Sequence, residues 1–131
     1  MYKQEIINIA LYGLLIIFID YIYLSQISSS FGKMIKTIQG KEMKVKIMHA
    51  IVVYICMIGA WYMFIYREIE KHTFKENIIR AGMLGFFIYT IFDFTNLALI
   101  DGYRLDLAII DSVWGATLYM LTTYIFIRFL N

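Results

Sequence analysis

The chain has 131 residues, enough for one domain. Hydrophobic residues make up 61% and aromatic residues 18%, and the mean hydropathy is +0.69. A soluble domain is nearer half apolar, and a chain this short lacks the interior volume to hide the excess. A net charge of +2 is too mild for a nucleic-acid partner. The single cysteine, Cys56, excludes a disulfide-stapled secreted fold.

Four apolar segments follow in chain order: about Ile6 to Leu24, Ile47 to Tyr66, Ile79 to Ile100 and Leu107 to Ile127. Each approaches the ~20 residues that carry a helix across a ~30 Å hydrocarbon core. Lipid offers the backbone no hydrogen-bond partners, so such segments must be helices. Alternating ten-residue strands, the mark of a barrel, are absent. Residues 1–131 are thus predicted to be a single all-α domain: a four-transmembrane-helix bundle, integral to the membrane and multi-pass, with the lipid bilayer as its first partner. Asp20 and its aromatic neighbours fit a signal-peptide core poorly, and no cleavage-like A-x-A follows. Tyr2, Tyr21, Tyr23, Trp61, Tyr62, Tyr66, Tyr103 and Tyr124 lie near segment ends and suit interfacial belts. Cys56, inside an apolar run, reads as a small buried hydrophobe.

The connections differ. From Ser25 to Lys46 the chain carries Phe31, Met34, Ile35 and Ile38 at helical spacing, with Lys33 and Lys36 opposite, until Gly40. This pattern fits either a short interfacial helix with its lysines at the headgroups or a solvated basic loop. Arg67 to Arg80 reads as a charged turn, and Asp101 to Asp106 as a tight hairpin joining the last two helices. Let side A be the face of the N-terminus, the second connection and the C-terminus, and side B the opposite face. Each side carries six Lys and Arg residues, so the positive-inside rule ties. The denser lysine cluster tilts side B toward the cytoplasm.

The few ionisable groups inside the segments point to function. Asp20, His49, Asp93 and Asp111 come from four different helices, yet all fall in the half of the membrane nearest side B, about 5–10 Å below its boundary. A carboxylate at mid-bilayer costs about 2.5–3.5 kcal/mol on insertion scales, so the aspartates should face the bundle interior. Helical faces agree. Gly82, Gly85, Tyr89, Asp93 and Asn96 share one face, as do Asp111, Gly115, Leu118 and Thr122, with Trp114 beside them, and also His49, Val53, Cys56 and Ala60. Glycines on such a face let a neighbouring helix approach closely.

Three aspartates could relay protons or bind a cationic or polar ligand. With His49 they form a candidate divalent-metal site, and an Asp–His pair can do acid–base chemistry. The structural alternative has the aspartates merely fixing helix packing through Tyr21, Thr95, Asn96, Trp114 or backbone, with His49 at the interface beside Lys46. Arg104 can pair with Asp101 or Asp106. No phosphate loop, H-E-x-x-H, C-x-x-C or G-x-S-x-G motif is present.

Phe92-Asp93-Phe94-Thr95-Asn96-Leu97, a short loop, and then Asp111-Ser112-Val113-Trp114-Gly115 resemble the paired motifs of the membrane-protein family catalogued as domain of unknown function 2177. Asp20 with Leu24 resembles that family's first-helix aspartate motif, although Tyr23 stands where the pattern has tryptophan. The resemblance covers nearly the whole chain. It implies four membrane helices and marks Asp20, Asp93, Asn96, Asp111 and Trp114 as family-defining residues. It implies no activity and says nothing of His49. The leading expectation is binding or translocation of a small solute, proton or cation at a pocket of Asp20, Asp93, Thr95, Asn96, Asp111 and Trp114. Four helices make a thin wall, so conduction would require a homo-oligomer. The rivals are a membrane-embedded enzyme acting on a lipid or amphiphile and a structural accessory protein.

Overall fold

Apolar runs without proline leave nothing to interrupt a helix until glycine or a charged turn does so. In the computed structural model, which describes residues 2–131, the chain is helical almost throughout. The main helices are α1 (Tyr2–Gln39), α2 (Ile47–Phe64), α3 (Phe74–Leu99) and α4 (Leu105–Ile125). A 3₁₀ turn, Tyr66–Lys71, links α2 to α3, and a π-helical turn, Phe126–Leu130, prolongs α4. The four helical stretches are each long and apolar enough to cross a membrane.

The first helix departs from expectation. Residues from Ser25 onward do not form a connection. They continue α1 to a length of 38 residues, about 57 Å, nearly twice the ~30 Å hydrocarbon core. The polar run is compatible with helix because its hydroxyls bond back to the helix itself: Ser25 Oγ to the Ile22 carbonyl at 2.7 Å and Thr37 Oγ1 to the Lys33 carbonyl at 2.9 Å. The helix stops at Gly40, whose φ of +77° is the left-handed terminator and whose N–H reaches the Lys36 carbonyl at 2.9 Å. The predicted face Phe31–Met34–Ile35–Ile38 therefore belongs to α1. It packs on protein: Met34 is buried and its sulfur accepts the Arg104 N–H at 3.2 Å. Ile38 lies against the turn at Gly102.

α3 and α4 form the closest pair, and glycine makes it so. A Cβ on Gly85 would stand 2.0 Å from the Gly115 carbonyl oxygen, and one on Gly115 would stand 2.4 Å from the Tyr89 ring. Such helices approach backbone to backbone. α1 runs antiparallel to α4 in one register over its apolar length: Tyr12 opposes Thr122, Asp20 opposes Trp114, and Tyr23 opposes Asp111.

α2 packs least. Its inward face is Tyr54, Met57, Ile58 and Trp61, followed by Ile65. The predicted stripe fails there, because His49, Val53 and Cys56 are exposed. An all-round apolar helix gives periodicity no direction, and large aromatic side chains gain more by burial than small ones. Cys56 is correspondingly on the outside rather than in the core.

Toward side A the interior is aromatic. Tyr12, Trp61, Tyr119 and Phe126 are fully buried, and Tyr12 stacks on Trp61 with centroids 3.6 Å apart. Trp61 is thus a core residue and not an interfacial one. Polar atoms in this layer bond to one another: Tyr12 Oη with Thr122 Oγ1 at 2.9 Å, Trp61 Nε1 to Thr123 Oγ1 at 3.0 Å, and Tyr119 Oη to the Met57 carbonyl at 2.7 Å. Below it, the charged turn starts α3 with a reciprocal capping box between Thr73 and Glu76. Hydrogen bonding by the Thr73 N–H holds the Glu76 carboxyl below its usual range.

Candidate functional site

Asp93 stands six residues before the end of α3, and Asp111 six residues after the start of α4. Both are therefore about 9 Å from the connecting turn. Asp20 faces them from α1. All three are buried, Asp93 completely, with Asp20 5% and Asp111 9% exposed. The three aspartates of the sequence reading all lie buried in the part of the bundle nearest side B.

Each carboxyl group accepts from an aromatic donor. Tyr54 Oη of α2 donates to Asp20 Oδ2, and Trp114 Nε1 donates to Asp20 Oδ1 at 3.0 Å. Tyr23 Oη donates to Asp111 Oδ1 at 2.9 Å, and Tyr103 Oη to Asp93 Oδ1 at 2.8 Å. Tyr23 and Trp114 also stack, 4.5 Å between centroids and 5° from parallel. Asp20 and Tyr23 are one turn apart on α1, as are Asp111 and Trp114 on α4. The antiparallel register crosses these pairs, so each helix supplies one acid and one aromatic donor to the other.

Asp111 is the neighbouring acid of Asp93, and no basic side chain among the described residues bears on Asp20 or Asp93. Arg104, the nearest cation in sequence, is exposed and tied to Asp106 by contacts of 3.1 and 2.6 Å. Asp93 Oδ2 is buried without a partner, as are Thr90 Oγ1 and Ser112 Oγ in the same stretches of α3 and α4. Buried polar atoms are rarely left unpaired; Asn77 Oδ1 and Arg80 Nη1 are unpaired at the side-A end of α3 as well, and among these atoms only Asp93 Oδ2 belongs to an acid.

Tyr103 links the cluster to side B. It lies in the α3–α4 turn, half buried, and also meets Asn96. Burial, with a smaller push from Asp93 and a pull down from Asn96, brings its phenol up to about 12, which keeps it a donor across the ordinary pH range.

Of the predicted pocket, Asp20, Asp93, Asp111 and Trp114 come together, and Asn96 flanks them through Tyr103. Thr95 is exposed on the other face of α3. His49 does not join: it is exposed on α2, and among the described residues no three His, Cys, Asp or Glu side chains converge to hold a metal ion. The divalent-metal expectation therefore lacks a ligand set. Tyr23, Tyr54 and Tyr103 are the members that sequence reasoning missed. Tyr23 carried a signal, one turn from Asp20 on the same face; Tyr54 and Tyr103 arrive through tertiary packing.

The family model described as Predicted membrane protein (DUF2177) matches residues 5–127. Comparison with curated proteins and with solved structures gives no match.

Proposed function

The chain belongs to this family of predicted membrane proteins, and from the geometry of its acid cluster we propose that it binds and releases protons at Asp20, Asp93 and Asp111, exchanging them with side B. Asp93 carries the reading. It is fully buried beside another acid, with one oxygen held by Tyr103 and the other unpartnered. Adjacent carboxylates in apolar surroundings cannot all keep their charge unless a cation joins them. Phenol and indole donors supply hydrogen bonds but no positive charge, so charge balance falls to the proton. A carboxyl that takes one up becomes a donor to its neighbour, and one that loses it becomes a pure acceptor.

The direction of exchange follows from the two ends of the bundle. Tyr103 stands between Asp93 and side B, whereas Ile16, Leu118, Tyr12, Trp61, Tyr119 and Phe126, all fully buried, fill the interior toward side A. A site served from one face suits a proton sensor or store rather than a channel.

Infrared titration of the protein in lipid tests this. A protonated-carboxyl band that persists above the pH at which exposed acids ionise is expected in the wild type, and a smaller band there is expected in Asp93→Asn with helicity unchanged. No such band near neutral pH in the wild type, or the same titration in both proteins, would overturn the reading.

A further inference from the structure

The part of α1 beyond the membrane, Ser25–Gln39, projects about 22 Å. The chain must return from its tip to Ile47, where α2 begins, through residues 40–46. It does so as an irregular segment folded back along α1. Gln39 Nε2 donates to the carbonyls of Lys41 and Glu42 at 3.0 and 3.2 Å, Lys36 pairs with Glu42 at 2.8 Å, and the Met43 methyl reaches Gly32. Between this segment and α1 lies a cleft of about 490 Å³, lined by Ser28, Ser29, Gly32, Lys33, Lys36, Glu42 and Met43.

Its height along α1 identifies its occupant. Ser28 to Lys33 lie four to nine residues past Leu24, about 6–13 Å beyond the last apolar turn, from the headgroup layer to just outside it. Met43 sits beside Gly32, and Lys44 and Lys46, outside the cleft lining itself, follow it in the chain toward α2. In sequence the segment alternates Met43 and Val45 with Lys44 and Lys46, and all four side chains are exposed. Lys33, Lys44 and Lys46 are exposed and have no carboxylate partner among the described residues; the local acid, Glu42, is engaged by Lys36. Directly below, Tyr21, Ile22 and Leu24 of α1 and Ile47, Met48 and Ile51 of α2 expose apolar surface. A basic, hydroxyl-lined cleft standing over two apolar helix faces has the charge and shape of an anionic amphiphile.

We infer that this cleft is a binding site for an anionic phospholipid, its phosphate held by Lys33, Lys44 and Lys46 beside Ser28 and Ser29, its chains lying on α1 and α2. The site is separate from the aspartate cluster. Its occupant places side B in the leaflet that carries anionic lipid.

The test is native mass spectrometry of the full chain from detergent containing equal phosphatidylglycerol and phosphatidylcholine. Wild type should retain one phosphatidylglycerol in preference to phosphatidylcholine. The triple variant Lys33→Gln/Lys44→Gln/Lys46→Gln should lose that preference by about tenfold or more. Lys71→Gln/Lys75→Gln, on side A, should keep it. Equal retention of the two lipids by the wild type, or equal loss in both variants, would overturn the inference. Helicity and melting temperature of the exposed-lysine variants establish that they fold.

Discussion

The two halves of this bundle use the same residue types to opposite ends. Toward side A, Tyr12, Trp61 and Tyr119 spend their polar atoms on Thr122, Thr123 and a backbone carbonyl, all neutral, and the layer is closed. Toward side B, Tyr23, Tyr54, Tyr103 and Trp114 point theirs at carboxyl groups, and one carboxyl oxygen, Asp93 Oδ2, is buried without a partner. An aromatic donor facing a neutral acceptor makes a core. The same donor facing an acid, with no cation in reach, leaves a site whose hydrogen bonding depends on its protons. The antiparallel register of α1 and α4 runs unbroken through both halves, so the difference lies in side chains and not in backbone.

This contrast can be broken at its closed end first. Trp61→Ala removes a fully buried stack and a hydrogen bond and should cost about 3–5 kcal/mol, read as a large fall in melting temperature in detergent. Gly115→Ala should cost about 1–3 kcal/mol by forcing a Cβ against the Gly85 carbonyl and the Tyr89 ring. It should loosen both halves together, since the α3–α4 contact lies between them. Thr73→Ala, in the charged turn outside the membrane, should cost about 1 kcal/mol by loss of the capping box. It should also reduce, but not abolish, an acid sensitivity, because the residue-73 N–H that holds Glu76 remains. The Glu76 carboxyl is lowered in the folded chain, so its contribution is present above its unfolded value and is lost as pH falls through the folded one. Asp93→Asn should have the smallest effect on stability, within about 1 kcal/mol, because it keeps the shape of the group. What it should remove is the part of the pH dependence of stability and infrared signature that belongs to Asp93, which Trp61→Ala should leave in place.

The sequence made much of this legible. The shared depth of Asp20, Asp93 and Asp111 followed from helix direction, and the α3 stripe of Gly82, Gly85, Tyr89 and Asp93 from helical spacing. The tyrosine donors did not follow, because an abundant residue near segment ends reads equally well as an interfacial anchor. Tyr23 and Tyr103 bond to acids, and Trp61 is core. α2 was misread for a related reason: an all-round apolar helix leaves tertiary packing to decide which face is inside, and Tyr54 and Trp61 won over Cys56 and Ala60. The end of α1 was obscured by serines and a threonine that read as loop yet satisfy themselves along a helix. Gly40, noted as a break in the pattern, is its true stop.

The most direct test concerns access. Vesicles holding the protein in one orientation, selected by a tag at the C-terminus on side A, can be given a pH step on either face while the carboxyl band is followed in time. The prediction is a prompt change when side B is stepped and none when side A is stepped, with a smaller response in Asp93→Asn. An equal response from both faces, or a response from side A alone, would contradict a one-sided proton site.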